Sequence, residues 1–164
     1  MKALVVHWTG NPRTTAKQNR DYFESIKMQS LNDASARYAS AHFIVGISGE
    51  VIQCLPSDEL AYHVGAKSYT PEALGCLGTY PNNCTVGIEL CHREADGRFS
   101  TETLLAAKEL CALLCVQFGL SPVKDIWRHF DITGKDCPKW FVNHPEEFES
   151  FKDIVIVAMD RLRK

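Results

Sequence analysis

The stretch Trp127-Arg-His-Phe-Asp-Ile-Thr-Gly-Lys-Asp-Cys-Pro-Lys139 gathers His129, Lys135 and Cys137 into one short segment. Imidazole and thiolate are the side chains that zinc prefers, and a lysine two residues before the thiolate adds a fixed positive charge where negative charge can develop. A catalytic zinc site uses three protein ligands and keeps a fourth position open. The third candidate is His7, at the end of the apolar run Ala3-Leu-Val-Val6. The same residues also suit a metal-free chemistry, with Cys137 as a thiol nucleophile and His129 as its base. Spacing alone leaves both open beside a plain packing role, because lone histidines and cysteines are often simply buried.

The elements around these residues say how they could meet. Ala3 to His7 reads as a strand buried on both faces, with His7 at the carboxyl end where α/β sheets bind ligands. Gly10-Asn-Pro12 and Thr14-Thr15 predict a turn and a cap, then a helix over about residues 15 to 30 with Asn19, Tyr22, Phe23 and Ile26 at helical spacing. Ala41–Ile47 and Glu50–Cys54 flank Ser48-Gly49, the signature of a hairpin with a two-residue turn. Leu60–Val64 reads as a short extended piece, and residues 65 to 84, rich in glycine, proline and asparagine, as a long loop. Thr85-Val-Gly-Ile-Glu-Leu-Cys91 alternates strictly, which sets Glu89 on the face opposite Val86, Ile88 and Leu90. Burying a carboxylate there is costly unless it has a partner. Ser100 caps a helix that Gly119 and Pro122 end, and Pro145-Glu-Glu147 opens the last helix. By themselves His42 and His63 read as hydrogen-bonded structural histidines, Lys135 as a solvated loop lysine and Trp8 as a core or rim aromatic.

Composition bounds the rest. A chain of 164 residues with 45% hydrophobic content suits one domain over residues 1–164. The net charge of −2 and scattered lysines and arginines argue against nucleic acid as a partner. No apolar run approaches the roughly 20 residues of a membrane helix. The start Met1-Lys2-Ala3 runs straight into the first strand without a signal-peptide core, which predicts synthesis in the cytoplasm. Seven cysteines without a Cys-x-x-Cys pair read as reduced thiols.

Val5-Val-His-Trp-Thr9, Ala41-His-Phe-Ile44, Ala61-Tyr-His-Val-Gly65, Thr85-Val-Gly-Ile-Glu-Leu90 and Arg128-His-Phe-Asp-Ile-Thr-Gly-Lys-Asp-Cys-Pro138 occur in this order. Together they resemble the zinc-dependent N-acetylmuramoyl-L-alanine amidase family, which includes phage endolysins, bacterial autolysins and the peptidoglycan recognition proteins. The resemblance implies an α/β single domain, a central mixed β-sheet flanked by α-helices on both sides, with zinc in a surface groove. It makes His7, His129 and Cys137 the zinc ligands, Glu89 and Lys135 the catalytic residues, and His63, Trp8 and His42 the substrate contacts.

The implied substrate is peptidoglycan, cut at the amide between the lactyl group of N-acetylmuramic acid and L-alanine by zinc-activated water. The resemblance also implies a wall-acting enzyme, released through a holin-type opening if it is a phage endolysin or by another route if it is a host lytic enzyme, with any wall-binding domain outside this chain. Some members carry a catalytic tyrosine where this chain has Ala41, which leaves that role to Glu89. Members that bind without cutting commonly lack the cysteine, which here is present as Cys137, and a recycling branch has aspartate in its place.

Overall fold

The sheet is built on Ala3–Trp8 (β1), because its side chains are buried on both faces and only a central strand can bury both. The computed structural model describes residues 1–30, 32 and 35–164. Phe43–Val45 (β2), Val51–Gln53 (β3), Thr85–Leu90 (β4) and Ile126–Arg128 (β5) join β1 in the order β3-β2-β4-β1-β5. All pairings are parallel except the β2–β3 hairpin, so the sheet is mixed.

Alternation divides the side chains between two layers. Leu4, Val6, Phe43, Val45, Val86, Ile88 and Leu90 face the helices Thr101–Phe118 (α3) and Pro145–Leu162 (α7), which pack on that side through Ala107, Cys111, Phe148, Phe151 and Val155. The other face is covered in patches. Ala16–Lys27 (α1) packs Ala16 near Ile44 and Cys91. Pro71–Leu77 (α2) and His129–Thr133 (α5) bring Ala73, Leu77 and Ile132 against Val5 and Trp127. Pro122–Asp125 (α4) and Lys139–Asn143 (α6) complete the helices. Between the patches lie His7 and Glu89.

β1 to β4, α3 and α7 sit where alternation and capping signals place them; the local detail differs at several points. The hairpin loop is three residues wide, because Gly46 N–H donates to Glu50 O at 2.7 Å and Gly49 takes a left-handed φ of 87° before the ladder resumes. Residues 65–84 contain α2 and a 3₁₀ turn at Pro81–Cys84 rather than one long loop. Thr70 caps α2 by accepting from Ala73 N–H at 3.2 Å, and Pro71 supplies its first turn. Leu60–Val64 joins no strand pair among the described residues; the N–H groups of His63 and Val64 donate to Asn82 Oδ1 instead. Ile126–Arg128, which no sequence signal marked, forms the strand β5 and pairs with β1. Tyr22, placed at helical spacing with Phe23 and Ile26, is exposed, and all seven cysteines are free thiols.

Ser100 ties the two ends of this architecture together. Its hydroxyl accepts from Thr103 N–H at 3.1 Å, capping α3, and donates to Ile47 O at 2.6 Å in the hairpin loop. Ser100→Ala removes both bonds and should cost about 1–2 kcal/mol of stability in urea unfolding; an unchanged midpoint would show that the cap contributes nothing here.

Candidate functional site

Strand register assembles the site. In the parallel ladders His7 pairs with Glu89 and Ile44 pairs with Glu89, while Val6 pairs with Arg128. One step beyond that last pair is His129, so Glu89, His7 and His129 form a row across the carboxyl end of three strands. Neighbouring strands lie about 4.8 Å apart, within reach of side chains on one face.

A brace fixes His129 at the turn from β5 into α5. The Arg128 guanidinium grips Asp131 with contacts of 2.6 and 3.1 Å and also donates to Phe141 O at 3.0 Å. Arg128 N–H donates to Asp131 Oδ2 at 2.8 Å. Gly134, at φ 76°, closes α5 in the left-handed conformation and turns the chain back. Phe130 N–H then donates to Cys137 O at 2.9 Å, which returns the thiol to the side of His129.

The result is a buried cluster of His7, His129 and Cys137, whose ligand atoms all lie within 4.8 Å of one another. His129 Nδ1 is 3.1 Å from His7 Nδ1, and Cys137 Sγ is 3.7 Å from the same atom. Tetrahedral zinc with ordinary bond lengths separates such ligand atoms by about 3.3–3.6 Å. The donor set, two imidazoles and one thiol, also suits zinc, so the residues fit the metal.

A family profile described as N-acetylmuramoyl-L-alanine amidase matches residues 1–140. The chain belongs to this amidase family. It is 34% identical over 165 aligned positions to the N-acetylmuramoyl-L-alanine amidase BlyA of Bacillus subtilis, covering 97% of this chain and 42% of that protein. A probable N-acetylmuramoyl-L-alanine amidase of Bacillus licheniformis is 36% identical over 161 positions, covering 98% of this chain and 43% of the relative. The chain thus spans about two fifths of the length of these relatives. Among solved structures, a mutant endolysin from Bacillus subtilis is 26% identical with a TM-score of 0.67, covering 94% of this chain and 84% of that one. The PlyG catalytic domain shares the fold, with a TM-score of 0.72 at 18% identity over 96% of this chain and 82% of that one.

The remaining candidate residues of this amidase-family chain fall into three positions. Glu89 is half-buried beside the cluster, and its Oε2 is enclosed without a hydrogen-bond partner among the described residues. Lys135 is exposed at the rim, where its charge reaches His7, His129, Glu89 and Cys137. Trp8 is partly buried and stacks on His92 at 4.7 Å, on the far side of β1 from His7.

The two histidines expected to touch substrate are committed elsewhere. His42 is fully buried, with Nδ1 accepting from Gly87 N–H and Nε2 against Glu59 O, both at 2.9 Å, so it offers no free ring nitrogen. His63 is buried with Nδ1 2.9 Å from His7 Nε2. It stands behind a candidate ligand rather than along an open groove. Sequence reading missed this support and the Arg128–Asp131 brace, although Arg128 and Asp131 stand three apart, a spacing that invites an ion pair.

Burial sets the charge states of the metal-free site. It holds His7 well below its usual range, with the neighbouring His63, His129 and Lys135 adding to the effect. His63 is lowered to about 3, by burial and then by His42, and His129 to about 4, by burial and then by Lys135. Glu89 is pushed up to about 8 by burial, against the pull of Lys135. Burial and then Glu89 raise the Cys137 thiol to about 12, which leaves it a poor free nucleophile at neutral pH.

These shifts predict how the metal-free protein responds to pH. The three histidines take up protons on unfolding once pH falls below 6.5, so their contribution is full above 6.5 and is lost as pH falls through their lowered folded values, about 4 for His129 and about 3 for His63. Glu89 acts oppositely: its contribution is full below 4.5 and is lost as pH rises through about 8. Three histidines outnumber one carboxyl, so the melting temperature of the chelated protein should peak near pH 6.5 and fall on both sides. A flat profile between pH 4 and 6.5 would show that these imidazoles are not held neutral.

Proposed function

We propose that the chain is the catalytic domain of a zinc-dependent N-acetylmuramoyl-L-alanine amidase, with His7, His129 and Cys137 as ligands. The single observation that carries this reading is the convergence of those three side chains beside Glu89 on the sheet's carboxyl edge. The proposed bond is the amide between the lactyl group of N-acetylmuramic acid and L-alanine in peptidoglycan. When bound, zinc supplies Lewis acidity towards a carbonyl oxygen and makes water more acidic.

The chain's own residues then divide the proton and charge work. Glu89 takes a proton from the attacking water and delivers it to the departing alanine nitrogen. Its pKa near neutrality suits a group that must both accept and give. Its unpaired, enclosed Oε2 is the oxygen available for that transfer. Lys135 places its ammonium at the rim, where negative charge grows on the carbonyl oxygen. Trp8 follows His7 on β1 but faces the other side of the sheet, stacked on His92 and packed on the core, so we assign it a packing role rather than a substrate contact.

The raised Cys137 pKa argues against a free thiolate nucleophile, and the thiol's place beside the two imidazoles supports the ligand reading, in which the metal would displace its proton. Among the described residues no helix is long and apolar enough to cross a membrane. The proposed place of action is the bacterial wall, reached after synthesis in the cytoplasm, through a holin-type opening if the protein is of phage origin. A wall-binding domain outside residues 1–164 belongs to the same proposal.

The deciding assay incubates the protein with purified peptidoglycan and counts new L-alanine amino termini, with chelator and after zinc is restored. Termini that vanish with chelation and return with zinc are expected; cutting that ignores the chelator would turn attention to Cys137 as nucleophile. Glu89→Ala and Lys135→Ala should each keep zinc while losing roughly a hundredfold to a thousandfold in turnover. Normal turnover in either would remove that residue from the mechanism.

A further inference from the structure

A hydrogen-bond chain runs behind His7, away from Cys137. His7 Nε2 lies 2.9 Å from His63 Nδ1, and His63 Nε2 lies 3.1 Å from Thr85 Oγ1. Thr85 Oγ1 in turn donates to the Pro81 carbonyl at 2.9 Å. All three side chains are buried.

Proton positions follow from the far end of this chain. A carbonyl can only accept, so Pro81 takes the single hydroxyl proton of Thr85. The hydroxyl oxygen must then accept, and His63 presents Nε2–H to it. His63 packs edge-on to two other imidazoles, His7 at 5.1 Å and His42 at 5.8 Å, surroundings that favour the neutral ring with one proton. Its Nδ1 is therefore a lone pair, which accepts from His7 Nε2–H. That leaves His7 Nδ1 bare, and this is the atom that faces His129 Nδ1 and Cys137 Sγ.

We propose that His63, set by Thr85, is a positioning residue that fixes His7 in the tautomer able to give Nδ1 to zinc. The inference rests on the reading of His7 as a ligand. The surroundings of His63 are shaped to hold that one orientation. Asn82 Oδ1 anchors its backbone N–H, and β4 admits the ring only because Gly87 has no side chain. A Cβ on Gly87 would approach His63 Cγ to 2.6 Å. His42 does not compete for either nitrogen of His63, because Gly87 N–H and Glu59 O occupy its own.

The test measures zinc affinity by competition with a chromophoric chelator, using zinc alone as the probe. Thr85→Val keeps the shape but removes the hydroxyl that accepts from His63 Nε2–H, leaving that proton only the Thr85 backbone carbonyl, so His63 is freer to carry its proton on Nδ1 and push that of His7 onto the ligand nitrogen. Affinity should fall roughly tenfold to a hundredfold, and Thr85→Ser, which retains the hydroxyl, should restore it. A folded Thr85→Val with wild-type affinity would overturn the proposal while leaving the ligand assignment standing.

Proton–nitrogen correlation NMR of the zinc-free wild-type protein needs no variant. It should show His7 protonated at Nε2 and bare at Nδ1, and the reverse would overturn the proposal even if Thr85→Val does not fold. Equal zinc affinity in His7→Ala would instead sink the ligand reading itself, and this inference with it.

Discussion

Everything at the site depends on the parallel register of β1 between β4 and β5. Side chains on a strand alternate, so a slip of one residue in β4 would exchange Glu89 for an aliphatic neighbour and turn the carboxylate into the core. The opposite face prevents such a slip. Leu4, Val6, Val86, Ile88 and Leu90 are packed without exposure under α3 and α7, and a register error would drive polar groups into that layer. Hydrophobic burial on one face of the sheet therefore holds polar chemistry on the other in place. The site lies at the carboxyl edge of the parallel strands, where β5 turns into α5 and the chain comes back with Cys137.

The same burial that makes the site exact in position makes it electrically unsatisfied. Neutral imidazoles, a protonated thiol and a raised carboxyl crowd together at neutral pH, and the positive charge nearest them belongs to the exposed Lys135. A dication with displaceable protons around it answers each of these conditions. Lys135 keeps its own ammonium solvated while its field reaches the interior, so it avoids the desolvation cost that a buried lysine would carry.

Much of this was legible because it is written in local patterns. Strict alternation in Thr85–Cys91 placed Glu89 on its face, the unbroken apolar run placed His7 at a strand end, and Ser100, Gly119 and Pro145 marked helix ends. The misreadings come where local signals are short or conflict. Thr70-Pro71-Glu72 is a good helix start, but the glycines around it in residues 65–84 outweighed it. β5 has only three residues, too few for any periodicity to show, and its pairing is set by β1. The width of the hairpin loop turned on which residue takes the left-handed conformation: Gly49 does, and Ser48-Gly49 therefore does not form the whole turn.

The histidines were the hardest to separate, because residue type says nothing about what the second ring nitrogen meets. In His42 both nitrogens are taken by backbone, which makes it a strut. In His63 one nitrogen meets a hydroxyl whose own proton is already committed, so the ring can pass an orientation on to His7. His129 has no such side-chain partner at Nε2 among the described residues. It is held from the backbone side, through the Arg128–Asp131 clamp and the first turn of α5. The two candidate imidazole ligands are thus aimed by different means, one by a proton-ordered chain and one by a fixed backbone. Damage behind His7 changes which nitrogen carries the proton, whereas damage behind His129 moves the ring.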